Sequence, residues 1–232
     1  MKVFALTGAG VSAESGLGTF RSVDGLWSRF DPMRLATPEG FAADPAAVHE
    51  FYNLRRRNMA AAAPNAAHFA LTELETRLEA RGGELFLCTQ NIDDLHERAG
   101  SRRVWHMHGE IARALCLHCG TRRDWREDLA VGLACPRCGR AGGLRPDVVW
   151  FGEVPYGMEE IEAALETADL FVAIGTSGSV YPAAGFVARA GDLGIPTMEV
   201  NLEPSDVAGL FGESLYGPAT ETVPALVARL LG

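Results

Sequence analysis

Four cysteines carry the most specific chemistry in this chain: Cys116-Leu117-His118-Cys119 and, after fifteen residues, Cys135-Pro136-Arg137-Cys138. A C-x-x-C knuckle sets two thiolates on one edge of a tetrahedron, and two knuckles complete a Zn(Cys)4 centre. Four thiolates leave no open coordination position. The ion is therefore expected to be structural rather than hydrolytic, stapling a segment too small to bury its own core. Disulfides and redox C-x-x-C pairs are the competing readings, and neither suits two such motifs in a reducing compartment. The fifth cysteine, Cys88, lies in an apolar run and reads as packing.

A second group of residues is polar and follows apolar runs. Gln90-Asn91-Ile92-Asp93 comes directly after residues 84–89, His108-Gly109 after 104–107, and Asn201-Leu202-Glu203-Pro204 after 195–200. Polar residues at the carboxyl ends of several parallel strands share the edge where open α/β sheets bind ligands. Read singly, Asn91 or Asp93 also fits a helix cap, His108 a satisfied histidine, and Glu203 a turn acid. A third group is Gly8-Ala9-Gly10-Val11-Ser12-Ala13-Glu14-Ser15-Gly16, after the apolar residues 3–6. A strand, a glycine turn and a helix start, whose first amides would be unpaired, make a phosphate site. Gly8, Gly10 and Ala13 satisfy G-x-G-x-x-G/A, although the acid expected about 20 residues on is absent. Residues 18–27, rich in Gly and aromatics, stand there instead and suit a lid.

The elements needed to hold these groups can be read in order. Thr37-Pro38-Glu39 opens a short helix, and Pro45 begins a longer one that puts Tyr52 and Arg55 on one face at i and i+3. Pro64-Asn65 breaks it, and His68, Leu71, Leu74 and Leu78 form the apolar stripe of the next helix. Strands are expected at 84–89, 104–107, 147–151, 170–174 and 195–200, with helices at 159–168, 183–190 and 223–231. The alternation predicts an α/β fold: a Rossmann-like parallel sheet with helices on both faces. The Gly- and Arg-rich segment around the cysteines predicts a small zinc-binding domain inserted in it.

Charge and length narrow the function classes. The 232 residues include 21 Lys and Arg against 30 Asp and Glu, a net charge of −9. An acidic chain is a poor general binder of nucleic acid or anionic membrane, so neither is expected as a partner. The first residues reach Thr7 and Gly8 too early for a secretory signal, and no run approaches a membrane span. A cytoplasmic location follows as the expectation. Arg55-Arg56-Arg57 is a local basic cluster that this balance does not explain.

Taken in order and spacing, the Gly8–Gly16 motif, Thr19-Phe20-Arg21, Gln90-Asn91-Ile92-Asp93, His108-Gly109, the four cysteines, Gly175-Thr176-Ser177 and Asn201-Leu202-Glu203 resemble the sirtuin family. The resemblance implies an NAD-dependent protein-lysine deacylase, with NAD and acyl-lysine meeting between a Rossmann-type domain and a zinc domain. It implies NAD contacts from Gly8, Ala9, Gly10, Ser12, Glu14, Phe20, Arg21, Trp27, Gln90, Asn91, Ile92, Asp93, Gly175, Thr176, Ser177, Asn201, Leu202, Glu203 and Ala219. Asn91 and Asp93 would line the nicotinamide pocket, and His108 would be the general base for a ribose hydroxyl that attacks the acyl carbon. The products would be nicotinamide, O-acyl-ADP-ribose and free lysine. The stretch Val149-Trp150-Phe151-Gly152-Glu153 resembles the loop that pairs with a substrate peptide as an added strand, with Val149, Phe151, Gly152 and Glu153 as its substrate contacts.

Within that family, Tyr52-x-x-Arg55 with a small Ala36 resembles members that accept acidic acyl groups. A guanidinium grips a carboxylate with two charge-assisted bonds, and a phenol adds a third. Succinyl and malonyl removal, beside some deacetylation, is the expectation. Gly18 departs from the usual Pro or Arg of relatives and bears on the lid alone. The expected layout is a Rossmann-like domain of 1–30, 84–111 and 144–232, a helical segment 31–83 forming part of the acyl pocket, and the zinc insert 112–143. A non-catalytic NAD sensor has no use for a base at His108, and an ADP-ribosyltransferase would differ in its products; these are the rival readings.

Overall fold

A computed structural model describes residues 1–18 and 32–232. Phe20, Arg21 and Trp27, expected to close over the cofactor, lie outside the described residues. Nine described strands form two sheets. β1 (Lys2–Thr7), β2 (Glu84–Thr89) and β3 (Val104–His106) come first. β4 (Gly109–Cys116), β5 (Arg122–Asp124) and β6 (Leu144–Val148) make a separate antiparallel sheet in the order β5-β4-β6. β7 (Leu170–Ile174), β8 (Thr197–Asn201) and β9 (Glu213–Tyr216) return to the first sheet, whose order is β3-β2-β1-β7-β8-β9 with every pairing parallel. Numbered within that sheet alone, the order is 3-2-1-4-5-6, that of dinucleotide-binding sheets, and it reverses between β1 and β7.

The described helices, in chain order, are α1 (Gly10–Ala13), α2 (Pro32–Leu35), α3 (Pro38–Ala43), α4 (Pro45–Ala61), α5 (Ala66–Ala80), α6 (Leu95–Arg98), α7 (Met158–Glu166), α8 (Phe186–Asp192) and α9 (Ala219–Leu231). Thr37 and Asp44 cap α3 and α4 by accepting the Gly40 and Ala47 amides, and each is followed by proline at the first helical position. Side chains alternate along each central strand. One face of the sheet therefore buries Val3, Ala5, Leu87 and Val172 against Leu71 and Leu74 of α5 and Val223 and Leu226 of α9. The other buries Phe4, Leu6, Cys88 and Phe171 against Ile161 and Leu165 of α7 and Phe186 and Val187 of α8. Burial on both sides explains the unbroken apolar runs of β1, β2 and β7.

Three expectations change. Residues 147–151 were expected as a strand of the main sheet; instead β6 pairs with β4, Leu144 opposite Cys116 and Val148 opposite Gly109. All five β6 residues are buried, because Val148 packs with Phe51 and Ile111 while Leu144 packs with Ala114 and Leu129. That double burial imitates a main-sheet strand. The small sheet accordingly runs from 109 to 148, so the expected insert limits of 112 and 143 cut its strands. α9 begins at Ala219, one turn before the expected 223, and β9 had no counterpart in the sequence reading.

Candidate functional site

At the switch point, the turns that follow β1 and β7 nest. The Gly8 and Gly10 amides donate to Ile174 and Gly175 carbonyls, both at 2.9 Å. A Cβ on Gly10 would stand 2.6 Å from Gly175 Cα, and one on Gly175, whose φ is +63°, would stand 2.5 Å from Val11 N. These glycines are needed for the close approach of two backbones. The expectation of unpaired amides at the start of α1 is corrected: Gly10, Val11 and Ser12 donate to Gly175, Gly8 and Ala9. The sharp turn consumes them. Glu14, at the end of α1, takes the Thr220 amide at 3.0 Å and its hydroxyl at 2.6 Å, tying this turn to the first turn of α9.

Around the turns lies a cleft of about 560 Å3. The cofactor and substrate residues expected from the sequence border it wherever they are described, from Gly8 and Ala219 at one side to Tyr52 and Phe151 at the other. Its inner wall is a chain of hydrogen bonds. Asn65 N–H donates to His68 Nδ1 at 3.2 Å, which leaves the proton on Nε2, 3.4 Å from Ser12 Oγ. Ser12 Oγ–H donates to Asp93 Oδ2 at 3.2 Å, and Asn91 Nδ2 donates to Gly8 O at 3.1 Å and Ser12 Oγ at 3.3 Å. Asp93 Oδ1 accepts the Leu95 amide at 3.1 Å. Burial raises the Asp93 pKa against the pull of those two donors, and burial lowers that of His68 to about 4. A neutral imidazole thus holds a buried carboxyl through one hydroxyl.

His108 stands between the two sheets. Its Nδ1 lies 3.0 Å from the Gln90 carbonyl, which can only accept, so Nδ1 carries the proton and Nε2 keeps its lone pair. Burial lowers its pKa, partly offset by the Gln90 bond. The His108 carbonyl accepts the Val149 amide at 2.8 Å, beside the Gly109–Val148 pairing where β4 leaves and β6 returns. Next door, His106 has Nδ1 on the Asn91 carbonyl at 3.2 Å and Nε2 on Glu97 at 2.6 Å. Burial opposes its charge, but the Glu97 bond, the Glu97 and Glu110 charges and the Asn91 carbonyl together outweigh it, and the pKa rises.

At the opposite end, α4 and the loop after β6 border a part of the cleft with apolar Ala36, Met59, Ile92, Ile111 and Val148 in its wall. Tyr52 and Arg55 face it from α4. Burial raises the Tyr52 pKa, against the opposing pull of Arg55, so the phenol stays protonated at neutral pH. The Arg55 guanidinium lies 5.9 Å from the Tyr52 ring centroid; burial lowers its pKa, and Tyr52 and Asp93 raise it. The Phe151 amide donates to Ala36 O at 2.9 Å, while the Glu153 carboxylate turns inward to Arg145 and the Trp150 amide.

The comparisons decide the family. The Sir2 family model matches residues 8–182. The chain belongs to the Sir2 family. It is 64% identical over 231 residues to a Caulobacter vibrioides NAD-dependent protein deacylase, covering 100% of this chain and 97% of the relative. A Sir2 homologue solved with NAD superimposes with a TM-score of 0.86 at 39% identity, covering 99% of this chain and 89% of that one. A Sir2 His-to-Ala variant holding a deacetylated p53 peptide and 3′-O-acetyl-ADP-ribose gives a TM-score of 0.78 at 28% identity, covering 99% and 92%.

This Sir2 chain also fits a structural zinc. The Sγ atoms of Cys116, Cys119, Cys135 and Cys138 all lie within 4.8 Å of one another, with Cys116–Cys138 at 3.9 Å and Cys119–Cys135 at 3.8 Å. A tetrahedron with Zn–S of about 2.3 Å has edges of about 3.8 Å. Each knuckle closes identically: the Gly120 and Gly139 amides donate to the Cys116 and Cys135 carbonyls at 2.8 Å, with positive φ at both glycines. No described helix of the chain is long and apolar enough to cross a membrane. His68 was missed as a member of the inner network, and Trp150, expected only within the peptide-pairing stretch, was missed as a partner of Tyr52. For His68 the signal was present: Asn65-x-x-His68 after Pro64 is a capping-box pattern, and both reciprocal bonds form.

Proposed function

We propose that this Sir2-family chain is an NAD-dependent protein-lysine deacylase that removes succinyl and malonyl groups as well as acetyl. NAD would lie along the switch-point turns, with Thr176, Ser177, Asn201 and Glu203 toward its adenosine half and Asn91 and Asp93 at its nicotinamide. The residues fit: Asn91 Oδ1 and the spare lone pairs of Asp93 are acceptors for a carboxamide NH2. When bound, NAD supplies an electrophilic ribose carbon and the hydroxyls that receive the acyl group. His108 Nε2 takes the proton of a ribose hydroxyl while Nδ1–H stays on Gln90 O, so the imidazolium that forms is stabilised as it forms. The loop 149–153 holds the peptide against this base, and closure of the two sheets over the lysine excludes water.

The observation that carries the acyl preference is a cation and a phenol, the half-buried Arg55 and the buried Tyr52, side by side in the cleft wall. A guanidinium in the cleft wall can receive the terminal carboxylate of a short acyl chain through two charge-assisted bonds. Release of succinyl, malonyl and acetyl groups from peptides, with and without NAD, tests the reading. Arg55→Met should cut desuccinylation kcat/KM by about 10- to 100-fold, as expected for a lost charge-assisted pair, and deacetylation much less. Equal losses on both substrates, or none, would overturn the acidic-acyl assignment.

A further inference from the structure

Trp150 donates its indole Nε1–H to the Tyr52 phenol oxygen at 3.0 Å. An indole N–H can only donate, so the phenol oxygen must accept, and the phenol proton has to point elsewhere. We infer that Trp150 is a positioning residue for acyl specificity: it turns the Tyr52 hydroxyl into an obligate donor toward the acyl carboxylate. The inference rests on the acidic-acyl reading above and deepens it.

The indole is itself held from behind. The Arg145 guanidinium lies 3.3 Å from the Trp150 ring centroid and makes two bonds to Glu153, at 2.6 and 2.9 Å. Glu153 also accepts the Trp150 amide at 2.8 Å, and Arg145 donates to Val148 O at 2.6 Å. Phe41 also packs against the indole, with centroids 5.3 Å apart. Trp150, Tyr52 and Arg145 are each no more than 3% exposed. A carboxylate at the pocket end needs a donor, and a phenol lone pair facing it would repel it. An acetyl methyl is indifferent to which way the phenol points. Polarity of one hydroxyl therefore separates the two substrates, and the Glu153–Arg145–Trp150 chain fixes that polarity.

The test is a double-mutant cycle read as the ratio of succinyl to acetyl kcat/KM within each enzyme. Trp150→Phe should lower the ratio about three- to tenfold, through a raised KM for the succinyl peptide, in line with loss of one hydrogen bond. In a Tyr52→Phe background the same change should leave the ratio where Tyr52→Phe puts it. If Trp150→Phe folds poorly, replacing Trp150 by benzothienylalanine removes the N–H at nearly constant shape and should give the same result. A ratio equal to wild type in both Trp150 variants would overturn the inference, and so would an equal drop in the Tyr52→Phe background. Failure of the parent reading is visible separately, as a wild-type desuccinylation indifferent to Arg55→Met, and it would overturn both.

Discussion

The two ends of the cleft are both lined by buried polar side chains, and they are built oppositely. At the inner end, Ser12 Oγ sits near two nitrogens, His68 Nε2 and Asn91 Nδ2, and gives its own proton to Asp93. That end grows from the main sheet and is linked by these hydrogen bonds. At the acyl end, Arg145 and Glu153 form a part-buried ion pair under Trp150, and the chain of contacts finishes on Tyr52 and Arg55 at the pocket wall. It grows from α4 and the small sheet. A group that every turnover must bind in one way suits a network of hydrogen bonds within one lobe; a group that distinguishes substrates suits a network that ends on the cleft wall.

Three experiments would break or sharpen this contrast. His108→Ala removes the base shared by both ends, so every acyl group should lose about 10²- to 10⁴-fold in kcat, while NAD binding measured by calorimetry persists. In the wild type the base must be neutral. Since burial lowers its pKa below 6.5, the acid limb of kcat/KM should lie below pH 6.5. Ser12→Ala opens the inner network and leaves the His68 Nε2–H and the Asp93 carboxyl without their shared partner. Unfolding should become about 1–3 kcal/mol easier in urea, and KM for NAD should rise equally for succinyl and acetyl peptides. A change in acyl selectivity there would erase the distinction between the ends.

A separate effect is on stability against acid. His68 has a folded pKa near 4 against 6.5 unfolded, so below pH 6.5 the unfolded chain binds a proton that the folded one refuses. Its contribution is complete above pH 6.5 and is lost as pH falls toward 4, on the order of 3 kcal/mol in all. His68→Phe should flatten that part of the urea-midpoint profile. An unchanged slope would mean that the imidazole is charged in the folded chain.

How far the sequence carried depended on whether a feature was local. β1, β2 and β7 emerged because burial on two faces writes continuous apolar runs. β9 did not, since a four-residue edge strand with exposed Glu213 and Ser214 carries no such run. The Arg55-Arg56-Arg57 triplet looked like one basic patch, yet neighbouring helical positions point about 100° apart. Arg55 enters the cleft, Arg56 donates inward to Ile111 O at 2.9 Å and Asn53 Oδ1 at 2.7 Å, and Arg57 pairs with Asp128 at the surface. Trp150 and Tyr52 are 98 positions apart, and no local pattern announces a bond between them.

The small sheet is slung from the main one by two neighbouring threads, pinned to each other where Gly109 faces Val148 and where Val149 binds the His108 carbonyl. The imidazole and the loop 149–153 both adjoin this junction, so the proposed base and the proposed peptide track share one backbone-bonded anchor.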